Sequence, residues 1–278
     1  MTSANPLDIQ PDLVVDLLVR FLREEVGQSG FQRSVLGLSG GLDSAVAAAL
    51  CARAFGPSNV LAVTMPYRTS NPDSAGHARL VAERLGLELR TVDISAMADG
   101  YLNQERVELP LRRGNVMARC RMIVLYDLSV EWRGLVVGTS NKTEILLGYT
   151  TQWGDGAHAV NPLGDLYKHQ VYQVARYLEL PREVIDKAPS ADLFAGQTDE
   201  AELGFTYATA DAILYHLIDE RFCEDELVAL GHPRELIRKI VDRVVRYQFK
   251  RLPPLIAKLS LRTVNRDFRY LRDWEHSR

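Results

Sequence analysis

The chain has 278 residues, of which 46% are hydrophobic, and a formal net charge of −3 from 33 basic and 36 acidic residues. This composition predicts a globular protein with a sizeable core and excludes the fibrous and disordered classes. Because the two signs of charge are mixed along the chain, no polyanion-binding surface is indicated and we expect no nucleic-acid partner.

The first predicted element is an amphipathic helix over residues 11–26, where apolar side chains recur at helical spacing. Four apolar, β-rich runs follow at residues 34–38, 60–66, 87–94 and 134–140, and helical patterns separate them. Alternating strands and helices predict βαβ units and a parallel sheet with both faces covered. Ligands of such sheets bind beyond the C-terminal ends of the strands. The loop after the first run lies there, as does the segment GTSNKTE, residues 138–144, which begins within the fourth run.

Helical patterns dominate the chain beyond residue 165. Earlier in the chain, between the second and third strands, the pattern over residues 74–86 predicts a helix that stops at Gly86. No linker divides the sequence, so we expect a single domain over residues 1–278 with a flexible N-terminus at residues 1–10. The stretch 188–205 is rich in small and acidic residues and predicts a mobile surface loop.

The cysteines and the N-terminus indicate the compartment. Cys51, Cys120 and Cys223 are far apart, odd in number and without metal-ligand spacing, which favours buried thiols in a reducing compartment. The N-terminus lacks the basic and apolar regions of a signal peptide, and no run approaches the roughly 18 apolar residues of a spanning helix. We expect a cytoplasmic protein without a membrane partner.

The string SGGLDSA after the first strand predicts a phosphate-binding loop. Adjacent Gly40 and Gly41 let the backbone approach a ligand closely, and the N-terminus of the next helix favours an anion. A Walker A loop would carry Lys where Asp43 stands. A carboxylate beside phosphates is useful chiefly as a magnesium ligand, so a metal-bound triphosphate or pyrophosphate is indicated. The alternative is an ordinary glycine-containing turn.

SGGLDSA resembles the pyrophosphate-binding loop of the N-type ATP pyrophosphatases, which split ATP between its α- and β-phosphates. Three further segments, at residues 113–129, 138–149 and 153–178, look in this order and spacing like the NAD synthetases. Residues 188–207 are similar to the flexible active-site segment of that family. The resemblance covers most of the chain. It implies a Rossmann-like, doubly wound parallel α/β sheet, here with a helical C-terminal part, and a homodimer with the dinucleotide site at the subunit interface.

The resemblance also implies roles for individual residues. Magnesium would be the cofactor, with Asp43 and Glu144 as its carboxylate ligands, and Lys168 is a point charge suited to a transferring phosphate. Taken singly, Lys168 and Glu144 are equally typical of ordinary helix residues, and only their joint occurrence favours a site. The residues implied in ATP binding are Gly37, Leu38, Ser39, Gly40, Gly41, Leu42, Asp43, Ser44, Thr139, Lys168 and Ser190.

The residues implied in binding the second substrate depart from the family pattern. Gln152 stands where a Lys is usual, Ala159 replaces an Asp, and Phe249 with Lys250 replaces a His-Lys pair, whereas Arg119 matches. Exchanging a charge for an amide or a methyl group removes a strong, directional contact. These changes concern the dinucleotide and leave the ATP chemistry intact. Trp153 follows Gln152, and two interpretations of it stay open: its indole stacks on a ring of the ligand, or it is buried in the core.

The activity implied is the amidation of deamido-NAD (nicotinate adenine dinucleotide) with ammonia to NAD through an acyl-adenylate, which releases AMP and pyrophosphate from ATP. The catalytic residues would be Asp43, Lys168 and Asp155, the last orienting the ammonium ion. Free ammonia is the expected donor, because the chain has no room for a glutaminase domain, unless a separate glutaminase subunit docks. We expect residues 195–204 to close over the site. Two alternatives stay open: a related ligase acting on nicotinate mononucleotide, and a catalytically silent nucleotide-binding protein.

Overall fold

The computed structural model describes residues 5–190 and 198–264. The sheet and the helices around it are α1 (Pro11–Gln28), β1 (Ser34–Gly37), α2 (Leu42–Phe55), β2 (Val60–Thr64), α3 (Pro72–Leu85), β3 (Glu88–Thr91), α4 (Ser95–Gln104), α5 (Pro110–Trp132) and β4 (Leu135–Val136). The helices that follow are α6 (Lys142–Leu147), α7 (Lys168–Tyr177), α8 (Arg182–Ile185), α9 (Asp199–Leu203), α10 (Tyr207–Leu214), α11 (Glu224–Ala229) and α12 (Arg234–Arg246). A π-helical turn, Tyr215–Asp219, continues α10.

The four strands form one parallel sheet in the order β3-β2-β1-β4. The chain moves outward from β1 to β3 and then returns to place β4 on the other side of β1. An isolated parallel bridge between Val137 and Val160 extends this second edge. The order therefore reverses between β1 and β4, and a ligand crevice is expected at this switch point. The predicted doubly wound parallel sheet is confirmed.

Two apolar cores lie on opposite faces of the sheet, because successive strand residues point to opposite sides. Leu36 and Ala62 pack with α1, α2, α3 and α7, whereas Val35, Leu61 and Val63 pack with α4 and α5. The alanine-rich α2 is buried along most of its length, and its small side chains let it approach the sheet closely. Both sheet faces are thus covered, as the alternating pattern predicts.

The helical C-terminal part has its own core, formed by apolar residues of α6, α9, α10, α11 and α12 around Tyr167. This core lies beside the carboxyl end of the sheet, because α6 follows directly after β4. Helices from both parts therefore reach the same crevice.

The predicted stop of α3 at Gly86 is confirmed, whereas its start at Pro72, capped by Asn71, precedes the predicted start at residue 74. Asn71 caps α3 by accepting from the Asp73 N–H (3.0 Å), and α3 ends at Gly86, which has φ of +67°. This left-handed residue is the stop that the sequence predicts.

Two expectations need correction. Within residues 5–10 the N-terminus is held rather than flexible: Leu7 is buried, and the Ile9 N–H donates to Gln173 Oε1 in α7 (3.1 Å). Residues 1–4 lie outside the described residues. Cys51 and Cys120 are buried as expected, but Cys223 is exposed because it precedes α11 at the surface. No described helix combines the length and the apolar character that crossing a membrane requires.

Candidate active site

The loop between β1 and α2 is fixed by its serines and by Gly40. Ser44 Oγ donates to the Gly41 carbonyl (2.9 Å), and the Ser39 N–H donates to Ser44 Oγ (3.2 Å). Gly40 has φ of +77°, a conformation that glycine adopts without steric strain. A Cβ there would lie 2.1 Å from the carbonyl oxygen of Ser74 in α3. The loop therefore requires glycine at this position and packs directly on the first turn of α3.

Two carboxylates and one ammonium converge beside this loop. Asp43 lies in the first turn of α2, Glu144 in α6, and Lys168 is the first residue of α7. Lys168 Nζ donates to Asp43 Oδ2 and lies 3.5 Å from Glu144 Oε1. The Lys168 side chain is 3% exposed, against 17% for Asp43 and 15% for Glu144. The fold thus brings together three residues that the sequence proposes for one site.

Every oxygen of the two carboxylates has a partner. Besides the two contacts of Lys168, Asp43 Oδ1 accepts from Asn141 Nδ2 (2.9 Å), and Glu144 Oε2 accepts from the Asn141 N–H (3.3 Å). Asn141 also caps α6, since its Oδ1 accepts from the Glu144 N–H (2.9 Å). The Lys168 ammonium therefore contacts both carboxylates, at the position where a cation bridging them would bind.

Asn141 is a site residue that the sequence reasoning missed. Its signal was present, because Asn followed three residues later by Glu is the pattern of a capping box at a helix start. In that pattern the Asn side chain accepts from the Glu backbone N–H, and the Glu side chain accepts from the Asn backbone N–H.

The ionisation of the cluster follows from its burial. Burial, together with the Asp43 carboxylate, raises the pKa of Glu144 to about 8, although Lys168 acts in the opposite direction. Burial alone would lower the pKa of Lys168, but Asp43 and Glu144 outweigh it and raise that pKa above its ordinary value. Lys168 therefore stays charged at physiological pH. Its ammonium also faces the ring of Tyr207 at 5.0 Å, a cation–π contact.

A buried hydrogen-bond chain fixes the start of α7 and hence Lys168. The Lys168 N–H donates to Thr143 Oγ1 (3.0 Å), which in turn donates to Asp211 Oδ1 (2.5 Å). Asp211 Oδ2 accepts from the His169 N–H (2.7 Å), and Asp211 is fully buried. Sequence reasoning did not single out Asp211, because its partners lie far away in the chain and no local pattern links them.

The other residues proposed for ATP lie at the same edge of the sheet. Thr139 is half-buried two residues after Val137, the residue that bridges to Val160. Ser190 is exposed and is the last residue described before residue 198. Residues 195–197 of the expected closing segment lie outside the described residues. The remainder forms α9, where Thr198 Oγ1 accepts from the Ala201 N–H (3.4 Å).

The residues proposed for the second substrate form a separate group. Arg119 donates to the Gln152 carbonyl (3.2 Å), and Gln152 with Phe249 lines a cavity of about 260 Å³. Prolines and leucines of residues 252–255 form the remainder of its wall. Trp153 is 53% exposed, so its interpretation as a buried core residue is wrong.

The loop that carries Gln152 is held by Lys250 and Asp155. Lys250 Nζ donates to the carbonyls of Gly148 (2.8 Å) and Thr150 (2.6 Å), and Asp155 Oδ1 accepts from the Thr151 N–H (2.8 Å). Ala159 is exposed, and its N–H donates to the Val136 carbonyl (2.9 Å). The Lys250 ammonium is thus occupied by backbone acceptors.

Comparison with known proteins supports the resemblance. The family model described as NAD synthase matches residues 14–254. The chain is 54% identical over 268 residues to the NH(3)-dependent NAD(+) synthetase of Trichlorobacter lovleyi, covering 96% of this chain and 98% of that protein.

Two solved structures share the fold. The NH3-dependent NAD synthetase of Campylobacter jejuni, in complex with the nitrate ion, is 35% identical with a TM-score of 0.77 and covers 90% of this chain and 100% of its own. The NMN synthetase of Francisella tularensis is 32% identical with a TM-score of 0.80 and covers 90% and 99%.

Proposed function

The chain belongs to the NAD synthase family, and we propose that it amidates deamido-NAD with ammonia to NAD in an ATP-dependent reaction that releases AMP and pyrophosphate. The observation that carries the proposal is the convergence of Lys168, Asp43 and Glu144 beside the loop after β1. The names of the relatives that match nearly the whole chain support the same activity.

In the first step an oxygen of the nicotinate carboxylate forms a bond to the α-phosphorus of ATP, and the bond from this phosphorus to the pyrophosphate oxygen breaks. The free N–H groups and the positive dipole end of α2 point at the loop, where they stabilise the departing anion. Lys168 neutralises charge on the transferring phosphate. The substrate carboxylate is itself the nucleophile, so the protein mainly supplies position and charge.

In the second step the ammonium ion loses a proton, the resulting ammonia attacks the acyl carbon, the bond from this carbon to the AMP oxygen breaks, and the nitrogen releases a second proton to solvent. Asp155 is our candidate for orienting the ammonium ion and accepting the first of these protons. Its side chain lies in the loop that carries Gln152, next to the group proposed for the nicotinate-containing substrate.

The residues beside the loop fit a magnesium ion. Asp43 and Glu144 would hold it through carboxylate oxygens, the ligands that Mg²⁺ prefers, and when bound it would neutralise polyphosphate charge. No group of three or more His, Cys, Asp or Glu side chains that could hold a metal occurs in the described part of the chain. Mg²⁺ usually binds through one or two carboxylates plus substrate phosphates, which agrees with this sparse donor set.

The position of Lys168 predicts that metal and nucleotide bind together. Because its ammonium contacts both carboxylates, we expect the wild-type protein to bind Mn²⁺, a paramagnetic substitute for Mg²⁺, only with nucleotide present. Lys168→Met leaves two carboxylates facing each other and is expected to gain saturable Mn²⁺ binding without nucleotide. Titration followed by electron paramagnetic resonance of free Mn²⁺ measures this.

A matched control is Lys142→Met. Lys142 is the first residue of α6 and also bridges two carboxylates, Asp165 (3.2 Å) and Asp219 (2.9 Å), but Asp165 is 97% exposed. We expect no gain of Mn²⁺ binding in this variant. Wild-type protein that binds Mn²⁺ alone as tightly as Lys168→Met would contradict the prediction.

The substrate is tested by offering deamido-NAD and nicotinate mononucleotide in parallel, each with ATP, Mg²⁺ and ammonium, and by following AMP and the amide product. We expect amidation of deamido-NAD. The mononucleotide alternative rests on the changed residues Gln152, Ala159 and Phe249 and on the 32% identical NMN synthetase. It has less support than the dinucleotide, since relatives at 54% identity are named NAD synthetases. Absence of AMP with both substrates would contradict the proposed function.

We also propose that the protein is a homodimer. Helices α4 and α5, which pack on each other, expose large apolar side chains, including Tyr101 (50% exposed), Ile123 (52%) and Val130 (78%), and exposed apolar surface of this kind is typical of an interface. Sedimentation should show a dimer that Val130→Asp weakens. Leu17→Asp, an equivalent change at an exposed residue of α1 (56%), should leave it intact. An active wild-type monomer at assay concentration would contradict the dimer.

A cytoplasmic location is part of the proposal. The buried thiols of Cys51 and Cys120 are free, which is typical of a reducing compartment.

A further inference from the structure

Lys187 is linked to the phosphate loop by Ser74, which contacts both. Its Nζ donates to Ser74 Oγ (3.0 Å), and the backbone of Ser74 is the surface on which Gly40 packs. Ser74 is 7% exposed and Lys187 is half-buried. The ammonium is therefore held on the side of α3, at the residue against which Gly40 of the loop packs.

The charged residues near the loop carry no net positive charge without the Lys187 ammonium. Asp43 and Glu144 together offset the single charge of Lys168, so Lys168 alone gives the loop no net positive charge. The proposed ligand is a polyanion whose terminal phosphates need cationic partners. Among the described residues no carboxylate lies within ion-pair distance of Lys187. Its only described polar partner is a neutral hydroxyl, which a phosphate oxygen can replace.

We infer that Lys187 is a further ligand-binding residue of this site, and that its ammonium contacts the β- and γ-phosphates of ATP and the pyrophosphate that leaves. The inference rests on the proposed function and extends it to a residue outside the cluster of Lys168. Lys168 acts from the side of α6 and α7, and Lys187 acts from the side of α3 and α8. The polyphosphate then lies between two ammonium groups above the loop, and the pyrophosphate remains held after its bond to the α-phosphate breaks.

The inference predicts a selective loss in Lys187→Met. Calorimetric titration with magnesium pyrophosphate and with a non-hydrolysable ATP analogue should show binding weakened about 10- to 100-fold, the range of one charge-assisted hydrogen bond. Binding of AMP, which lacks the β- and γ-phosphates, should stay unchanged. Lys187→Arg keeps the charge and should stay within about fivefold of wild type.

Two further variants separate the contact from structural and long-range effects. Ser74→Ala removes the hydroxyl partner but keeps the ammonium and should bind pyrophosphate within about threefold of wild type. Lys239→Met removes the same charge from α12 and should change nothing.

The inference fails if Lys187→Met binds pyrophosphate within twofold of wild type, if it weakens AMP equally, or if Ser74→Ala loses as much as Lys187→Met. A wild-type protein that neither binds pyrophosphate nor forms AMP would instead overturn the proposed function.

Discussion

Asp43→Asn is expected to lower the rate of AMP formation by about 10²- to 10³-fold, the range found when one electrostatic contact to a transition state is removed. Two effects combine. The metal would lose a charged ligand beside the departing pyrophosphate, and the Lys168 ammonium, 3% exposed, would lose its main counter-charge. Because breaking a buried ion pair leaves an uncompensated charge, the free energy of unfolding should also fall by about 3 kcal/mol. Steady-state kinetics at saturating Mg²⁺ and thermal unfolding measure the two effects.

The matched control is Asp12→Asn. Asp12 is also the second residue of a helix, α1, but it is exposed, and no described hydrogen bond or ion pair joins it to the residues proposed for the site. Both variants lose a favourable interaction with a helix dipole, which is worth about 0.3–1 kcal/mol, but only Asp43→Asn should lose turnover. Near-normal activity of Asp43→Asn at limiting Mg²⁺ would show that the metal assignment is wrong.

Gly40→Ala is expected to abolish ATP binding and to destabilise the fold. The alanine must adopt a φ of +77°, which is unfavourable by about 1–2 kcal/mol for an L-residue. Its Cβ would also lie 2.1 Å from the Ser74 carbonyl oxygen, and overpacking of this kind costs about 1–3 kcal/mol more. The loop and the first turn of α3 must separate to relieve the contact, which moves the N–H groups that face the phosphates.

Gly30→Ala separates the two contributions. Gly30 has a similar φ of +82°, but a Cβ there meets nothing within 4 Å. This variant should show only the backbone strain and should bind ATP normally. Chemical denaturation and calorimetric titration with an ATP analogue test both variants. Equal losses of stability in the two would mean that α3 yields to the added methyl group without strain.

Much of the site could be predicted because its signals are local. The glycines, serines and Asp43 of the loop lie within eight consecutive residues, between an apolar strand and an alanine-rich helix. Such a segment must turn where the strand ends and present its N–H groups where the helix starts. The stop at Gly86 was predictable for the same reason, since one residue with a left-handed backbone ends a helix regardless of distant contacts.

The second-substrate side was less predictable from the sequence. Trp153 could have stacked or been buried, and only the packed structure leaves it exposed with a φ of +61°. Lys250 matched the lysine of a family motif, but its ammonium donates to two backbone carbonyls about a hundred residues earlier in the chain. No sequence spacing encodes which acceptors a long side chain reaches, because that depends on how two loops pack together.

The sequence by itself determined the alternation of strands and helices along the chain, because this depends on apolar periodicity. It also determined the phosphate loop and the types of residue in it, because these depend on backbone conformations within a few residues. Only the tertiary structure decided that Lys168 lies between Asp43 and Glu144, that Asn141 and Asp211 hold this arrangement, and that Lys187 contacts Ser74 beside the loop. These contacts join segments far apart in the chain. Whether such side chains meet depends on the packing of whole helices against the sheet, which no local pattern specifies.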